Sequence, residues 1–128
     1  MHRAGHAASA MNRLKRRADF LAAAGGARAS APAFLVQARD RRDGAAPRIG
    51  FTVTRKTGSA VERNRIRRRL RAAARDVLTA AGHHGFDYVL VARRPALAAP
   101  YGALVADLEQ AVRRLHRAGS TRAGHTKG

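Results

Sequence analysis

Hydrophobic and polar positions along this chain follow two different periods, and the switch between them marks out its elements. Residues 48–54 alternate at every step, with Ile49, Phe51 and Val53 on one side and Gly50, Thr52 and Thr54 on the other. Such alternation predicts a strand with one face in a core and one small, polar face. Residues 33–39 (AFLVQAR) predict a second strand, and 41–47, with a turn signal at Asp43-Gly44, would join the two as a hairpin. Residues 86–93 (FDYVLVAR) are the most apolar run, which predicts a central strand.

Three other stretches have the helical period. Over 13–24, Leu14, Ala18 and Leu21 recur at helical spacing, Phe20 is the one aromatic, and Gly25-Gly26 provides a stop, which predicts a short helix near 16–24. Residues 61–80 predict a longer helix. With Ile66 at zero and about 100° per residue, Leu70, Ala73, Ala74 and Val77 share its side. Asn64, Arg67, Arg68, Arg71 and Arg75 gather opposite, with Arg65 and Arg69 flanking. Residues 101–117 carry a third stripe, Leu104, Leu108, Ala111, Val112 and Leu115. A helix between the second strand and the apolar strand makes a crossover, so the sheet should be mixed. The reading is one small α+β domain over 13–118. A disordered basic tail precedes it at 1–12, and a flexible tail follows at 119–128.

Composition makes that core small. The chain is 45% hydrophobic but only 5% aromatic, with no Trp, so Ala, Leu and Val must fill it. Charge changes the picture more: 26 basic against 8 acidic residues give a net charge of +18. An excess that large calls for a polyanionic partner. A membrane surface is the other anionic candidate, but no apolar run approaches the roughly 20 residues that span a bilayer. The basic N-terminus has no apolar segment of a secretory signal, so the cytoplasm is the expected location. Lys occurs only at 15, 56 and 127. Two readings of the Arg excess stand together: the base composition of the genome, and the guanidinium's ability to fork phosphates and stack on bases.

Little points to catalysis by the chain itself. The absence of Cys removes disulfides, thiolate metal sites and thiol nucleophiles. The acidic residues Asp19, Asp40, Asp43, Glu62, Asp76, Asp87, Asp107 and Glu109 form no recognisable metal motif. His83-His84 lacks a third ligand at recognisable spacing, and His2, His6, His116 and His125 are scattered. No phosphate-binding glycine loop or nucleophile elbow is present.

The densest signal is at 55–71, RKTGSAVERNRIRRRLR. Arg63, Arg67 and Arg71 recur every four residues without acidic neighbours, a repulsion that an anionic partner would offset. The run from Lys56 through Gly58-Ser59-Ala60-Val61 and Arg63-Asn64-Arg65-Ile66 to Arg68 resembles the signature of the bacterial ribonuclease P protein family. That signature reads Lys-Lys-x-Gly-Asn-Ala-Val-x-Arg-Asn-Arg-hydrophobic-Lys/Arg-Arg. Arg55 replaces its first Lys and Ser59 its usual Asn. The resemblance extends over about 13–117 and includes Arg13-Leu14-Lys15, Asp19-Phe20, the 50–54 strand and Ala92-Arg93-Arg94-Pro95.

The resemblance implies a four-stranded mixed sheet in the order α-β-β-β-α-β-α, with one short strand not visible in the sequence and a left-handed βαβ crossover. It implies an auxiliary subunit of a catalytic RNA that removes the 5′ leader of precursor tRNA. The complex would hold one protein per ribonuclease P RNA, with no protein partner. Mg²⁺ would be held by the RNA and substrate. Arg63, Asn64, Arg65, Arg67, Arg68 and Arg71 would contact the catalytic RNA. Phe20, Phe34, Thr52, Thr54, Arg55 and Lys56 would line the leader cleft, with Phe34 equally readable as core. Ala24 and Gln37 stand where the family commonly has aromatics, which implies weaker stacking on the leader. Another RNA-binding module such as a ribosomal protein, a self-sufficient metal-dependent nuclease, and a histone-like DNA compactor are the alternatives.

Overall fold

The computed structural model describes residues 12–125, with 118–125 as helical backbone only. In chain order the elements are β1 (Asn12–Arg13), α1 (Arg17–Ala24), β2 (Ala27–Ser30), β3 (Phe34–Asp40), β4 (Arg48–Thr52), α2 (Ala60–Ala81), β5 (Phe86–Ala92) and α3 (Tyr101–His125). Short 3₁₀ turns at Arg55–Thr57 and Arg94–Leu97 lead into α2 and towards α3.

β5 decides the topology. Tyr88, Leu90 and Ala92 alternate with Val89 and Val91, so both of its faces are apolar, and only the middle of a covered sheet buries such a strand. The sheet order is β1-β4-β5-β3-β2. β5 is parallel to β4 and antiparallel to β3. The expected hairpin of 33–39 with 48–54 is therefore corrected: the two strands run in opposite directions but stand one strand apart. Their link must span two inter-strand spacings, about 10 Å. Ion pairs hold it there, because Arg41 and Arg48 at its two ends both reach Asp87 on β5. The sheet has five strands, against the four expected. The extra strand is the two-residue β1, parallel to β4, and the short strand implied by the resemblance is β2.

The main core lies between one sheet face and the stripes of α2 and α3. Phe34, Val36, Ile49, Tyr88 and Leu90 meet Ile66, Leu70, Val77, Leu78, Leu104, Leu108 and Val112 there. A smaller cluster on the other face joins Leu14, Ala23 and Val89, with Phe20 and Val91 packed against it. The expected α1 stripe is out of phase with this. Leu14 precedes the helix and is buried through strand-like pairing, its N–H donating to Ile49 O at 2.9 Å. Leu21 is 59% exposed, and Ala23 with Phe20 forms the packed side.

α3 continues to His125, beyond the expected end at 117 and into the stretch read as a flexible tail. Residues 1–11 of the expected N-terminal tail lie outside the described residues, whereas Asn12 pairs with Arg48 in the sheet. No helix among the described residues is long and apolar enough to cross a membrane.

Candidate nucleic-acid interface

β4 feeds directly into α2 through a turn built by side chains. Thr57 donates from N and Oγ1 to Thr54 O, at 3.0 and 2.6 Å. Ser59 caps α2: its Oγ accepts from Glu62 N at 3.2 Å, and Glu62 Oε1 accepts from Ser59 N at 2.9 Å. Ser-x-x-Glu before an amphipathic run is a legible capping signal, which the sequence reading passed over. Arg94, just past β5, donates to both carboxylate oxygens of Glu62 and to Thr57 O. The hydrogen bond from Arg94, followed by that from Ser59 N–H, holds the Glu62 carboxyl down to about 2. Gly58 has φ 150°, where a residue bearing Cβ is strained, and a Cβ there would also press on the paired Arg94 Nη1 and Glu62 Oε1 at 2.5 Å.

Beyond that cap α2 presents its arginines. Asn64, Arg65 and Arg68 are exposed, and Arg63, Arg67 and Arg71 are half-buried at the margins. The expected phase is thus rotated. Leu78 joins the buried side because α2 packs on α3 as well as on the sheet, which widens the covered arc. Arg65, expected as a flank, moves towards the centre of the open face beside Val61, which is 79% exposed. Arg69, the other expected flank, turns inward and donates to the carbonyls of Ala96, Leu97 and Ala99. Arg63 donates to Gly58 O at 2.9 Å, and Arg67 to Asn64 Oδ1 at 3.2 Å. The ion pairs among the described residues involve Arg39, Arg41, Arg48 and Arg94, and none of the arginines at 63, 65, 67, 68 and 71.

On the sheet face that carries α1, the register sets out two rows. Gly50, Val89 and Gln37 lie abreast, and so do Thr52, Val91 and Leu35. α1 covers the first row. Phe20 sits so close over Gly50 that a Cβ there would be 2.6 Å from its ring, and Gln37 is 9% exposed. The second row is half-buried, and Thr54, Arg55 and Lys56 are exposed beyond it. Phe20 thus stands over the first row, Thr52 lies in the second, and the exposed Thr54, Arg55 and Lys56 follow it in the chain, which together outline a candidate trough. Phe34 is corrected out of it: the side chain is fully buried in the main core on the opposite face. Leu35 and Val91 take its place in the floor. Sequence reasoning missed them because alternation shows which residues share a face, not which face stays open. Such a trough suits a single strand, with bases against an apolar floor and phosphates against the cations.

A sequence model of the family described as Ribonuclease P matches residues 9–116. The chain belongs to this family. The ribonuclease P protein component of Ruegeria pomeroyi is 48% identical over 113 residues, covering 86% of this chain and 90% of that protein. That of Bartonella quintana is 45% identical over 107 residues, covering 79% and 80%. Among solved structures, the RNase P protein of Staphylococcus aureus superposes with a TM-score of 0.67 at 27% identity, covering 79% of this chain and 92% of that one. The Thermotoga maritima protein gives 0.66 at 27% identity, covering 83% and 96%.

In this ribonuclease P protein most carboxylates are already engaged with donors. Asp87, fully buried, accepts from Arg41 at 2.6 Å and from Arg48 at 2.8 Å. Burial pushes its carboxyl up, but Arg48 and Arg41 together outweigh that and leave it lowered. Asp43 pairs with Arg41, Asp19 lies 3.5–3.6 Å from Arg48 and Arg39, and Asp76 accepts from Tyr101 Oη. The histidines hold a surprise for the sequence reading. His83 and His116, far apart in the chain, stack at a centroid distance of 3.4 Å and 13°. Tyr88 Oη accepts from His83 N at 2.8 Å and shares a second hydrogen bond with His116 Nε2 at 2.7 Å, whose direction is set by the imidazole tautomer. Burial, then the neighbouring His83, pulls His116 down to about 4.

Proposed function

We propose that this chain is the RNA-binding protein subunit of a bacterial ribonuclease P. It joins one catalytic RNA and grips the 5′ leader of precursor tRNA while the RNA cleaves it. One observation carries the reading: the open trough and the arginine face are consecutive in the chain, joined by the capped turn from Thr54 to Glu62. A leader strand in the trough would thereby lie a few residues from the catalytic RNA. Arg63, Asn64, Arg65, Arg67, Arg68 and Arg71 contact that RNA, with Arg65 and Arg68 the most accessible. Phe20, Thr52, Thr54, Arg55 and Lys56, with Leu35 and Val91 as floor, hold the leader.

The catalytic site lies in the RNA. Mg²⁺ is held there and by the substrate, since the protein's carboxylates are largely engaged with guanidinium and hydroxyl donors. When bound, the ion supplies a nucleophilic water and charge neutralisation for phosphodiester cleavage. The protein's own work is positional and electrostatic. The expected compartment is the cytoplasm.

The test is cleavage of a precursor tRNA at near-physiological Mg²⁺ with neither component, protein alone, ribonuclease P RNA alone, and both. Strong, correctly placed cleavage only with both supports the reading. Cleavage by protein alone, or no stimulation of the RNA, overturns it.

A further inference from the structure

Away from the trough and the arginine face, a second cleft of about 630 Å³ opens where the end of α1, the end of β3, the 82–85 loop and α3 converge. Its walls combine two chemistries. His83, Phe86 and His116 form an aromatic side, with Phe86 edge-on to both imidazoles at 5.7 and 4.7 Å. Arg39 and Arg42 also line it, with Arg39 Nη1 3.6 Å from Asp19. His83 is exposed and lies flat on the half-buried His116, so the two rings form a short stack whose outer member can take another ring.

Arg42 is held in place at a cost. It is the only non-glycine among the described residues with positive φ, at 61°. Backbone of that kind disfavours a side chain bearing Cβ, and where it persists it is over-determined by its surroundings. Here Asp40 Oδ1 accepts from Arg42 N at 2.8 Å, which fixes the turn and occupies the cleft's own carboxylate. Neither Arg42 nor His83 has a part in the core or in the interface described above.

We propose that this cleft is a second RNA contact, which takes one unpaired nucleotide with its base on His83 and its phosphate on Arg42. The proposal rests on the reading of the chain as an RNA-bound subunit. It adds a contact at the far end of the sheet from Thr54 and Lys56. A base laid on His83 extends the existing imidazole stack, and a guanidinium beside an aromatic platform is how sequence-tolerant single-strand sites are built. The nucleotide can come from ribonuclease P RNA or from precursor tRNA, and the two are separable by experiment.

The full chain is assayed as R42G, R42K, H83A and H83F, with R65A as reference. Affinity is measured for ribonuclease P RNA alone, and then for precursor tRNA by the assembled holoenzyme. Gly accepts φ 61° without strain, so R42G should melt at or above the wild-type temperature. Its RNA affinity should nonetheless fall, and the slope of log affinity against log salt should shrink by about one. R42K should retain much of the affinity. H83A should weaken binding about tenfold and H83F should restore it. Loss on the first RNA assigns the nucleotide to ribonuclease P RNA, and loss only in the second assay assigns it to precursor tRNA. If R65A weakens binding while R42G and H83A bind both RNAs with wild-type affinity and salt slope, this inference falls and the main reading stands. If the wild-type chain binds neither RNA, both fall.

Discussion

Arg94 grips Glu62 across the junction between β5 and α2, Nη1 to Oε1 at 2.8 Å and Nη2 to Oε2 at 3.1 Å. The pair fixes the angle at which the arginine helix leaves the sheet, because Glu62 also caps Ser59 and Arg94 also holds Thr57 O. Both side chains are partly exposed, so the ion pair itself adds little to stability. R94A should therefore leave the melting temperature nearly unchanged and weaken binding to ribonuclease P RNA. A wild-type affinity in R94A would show that the clamp does not position the helix.

Ser59 offers a separate reading of the same turn. S59A removes the cap and should cost about 0.5–2 kcal/mol, whereas S59N keeps a good capping side chain and should be near neutral. Chemical denaturation of the three proteins decides this. Equal losses in both variants would mean that the hydroxyl serves another purpose.

Arg65 and Arg69 stand four residues apart on α2 and should behave oppositely. R65A removes an exposed guanidinium and should lower RNA affinity at an unchanged melting temperature. R69A leaves three carbonyls of the 96–99 segment without their donor and should cost about 1–3 kcal/mol of stability. Thermal melts alongside RNA titrations separate the two. A destabilised R65A would refute its assignment to the interface.

Asp87 is the most demanding buried charge. D87A strands Arg41 and Arg48 and should destabilise by about 3–5 kcal/mol, more than any single change on the arginine face. Its folded carboxyl is lowered, so its contribution is complete above the ordinary value of 3.8 and is lost only as pH falls through the lower folded value. Urea midpoints at neutral pH test the first claim, and an acid titration of stability tests the second.

His116 should give stability a second pH dependence in milder acid. Its folded value is depressed from 6.5 to about 4, so the unfolded chain binds the extra proton between these limits. Stability is full above about 6.5 and falls as pH drops towards about 4. H116Q keeps a hydrogen-bond partner for Tyr88 Oη but does not titrate, so it should flatten that window. The same slope in both proteins would place the effect elsewhere.

Much of this molecule could be read from the order of its residues. Local periodicity marked three helices and three of the strands, because a face that must be buried repeats at the period of its element. The signature at 56–68 pointed to the family, and its glycine and arginines sit at the turn and on the helix as expected. The phase of α2 was read with a rotation: Leu78 and Arg69 go inward, Arg67 and Arg71 move to the margins, and Arg65 moves outward.

Tertiary structure decided whatever depends on neighbours distant in the chain. Periodicity in 33–39 and 48–54 could not reveal that β5 would come between them, since strand order reflects which strand most needs cover on both faces. Nor could it separate Phe34, sealed in the core, from Leu35, half-open in the trough, because alternation is blind to which face α1 leaves uncovered. Asp87 between Arg41 and Arg48, and His83 on His116, join residues 33 to 46 apart in sequence. Sequence by itself determined which residues make the arginine helix and which make the three longer strands. Only packing decided which side chains remain free to meet an RNA, because exposure is a property of the assembled surface and not of any local stretch.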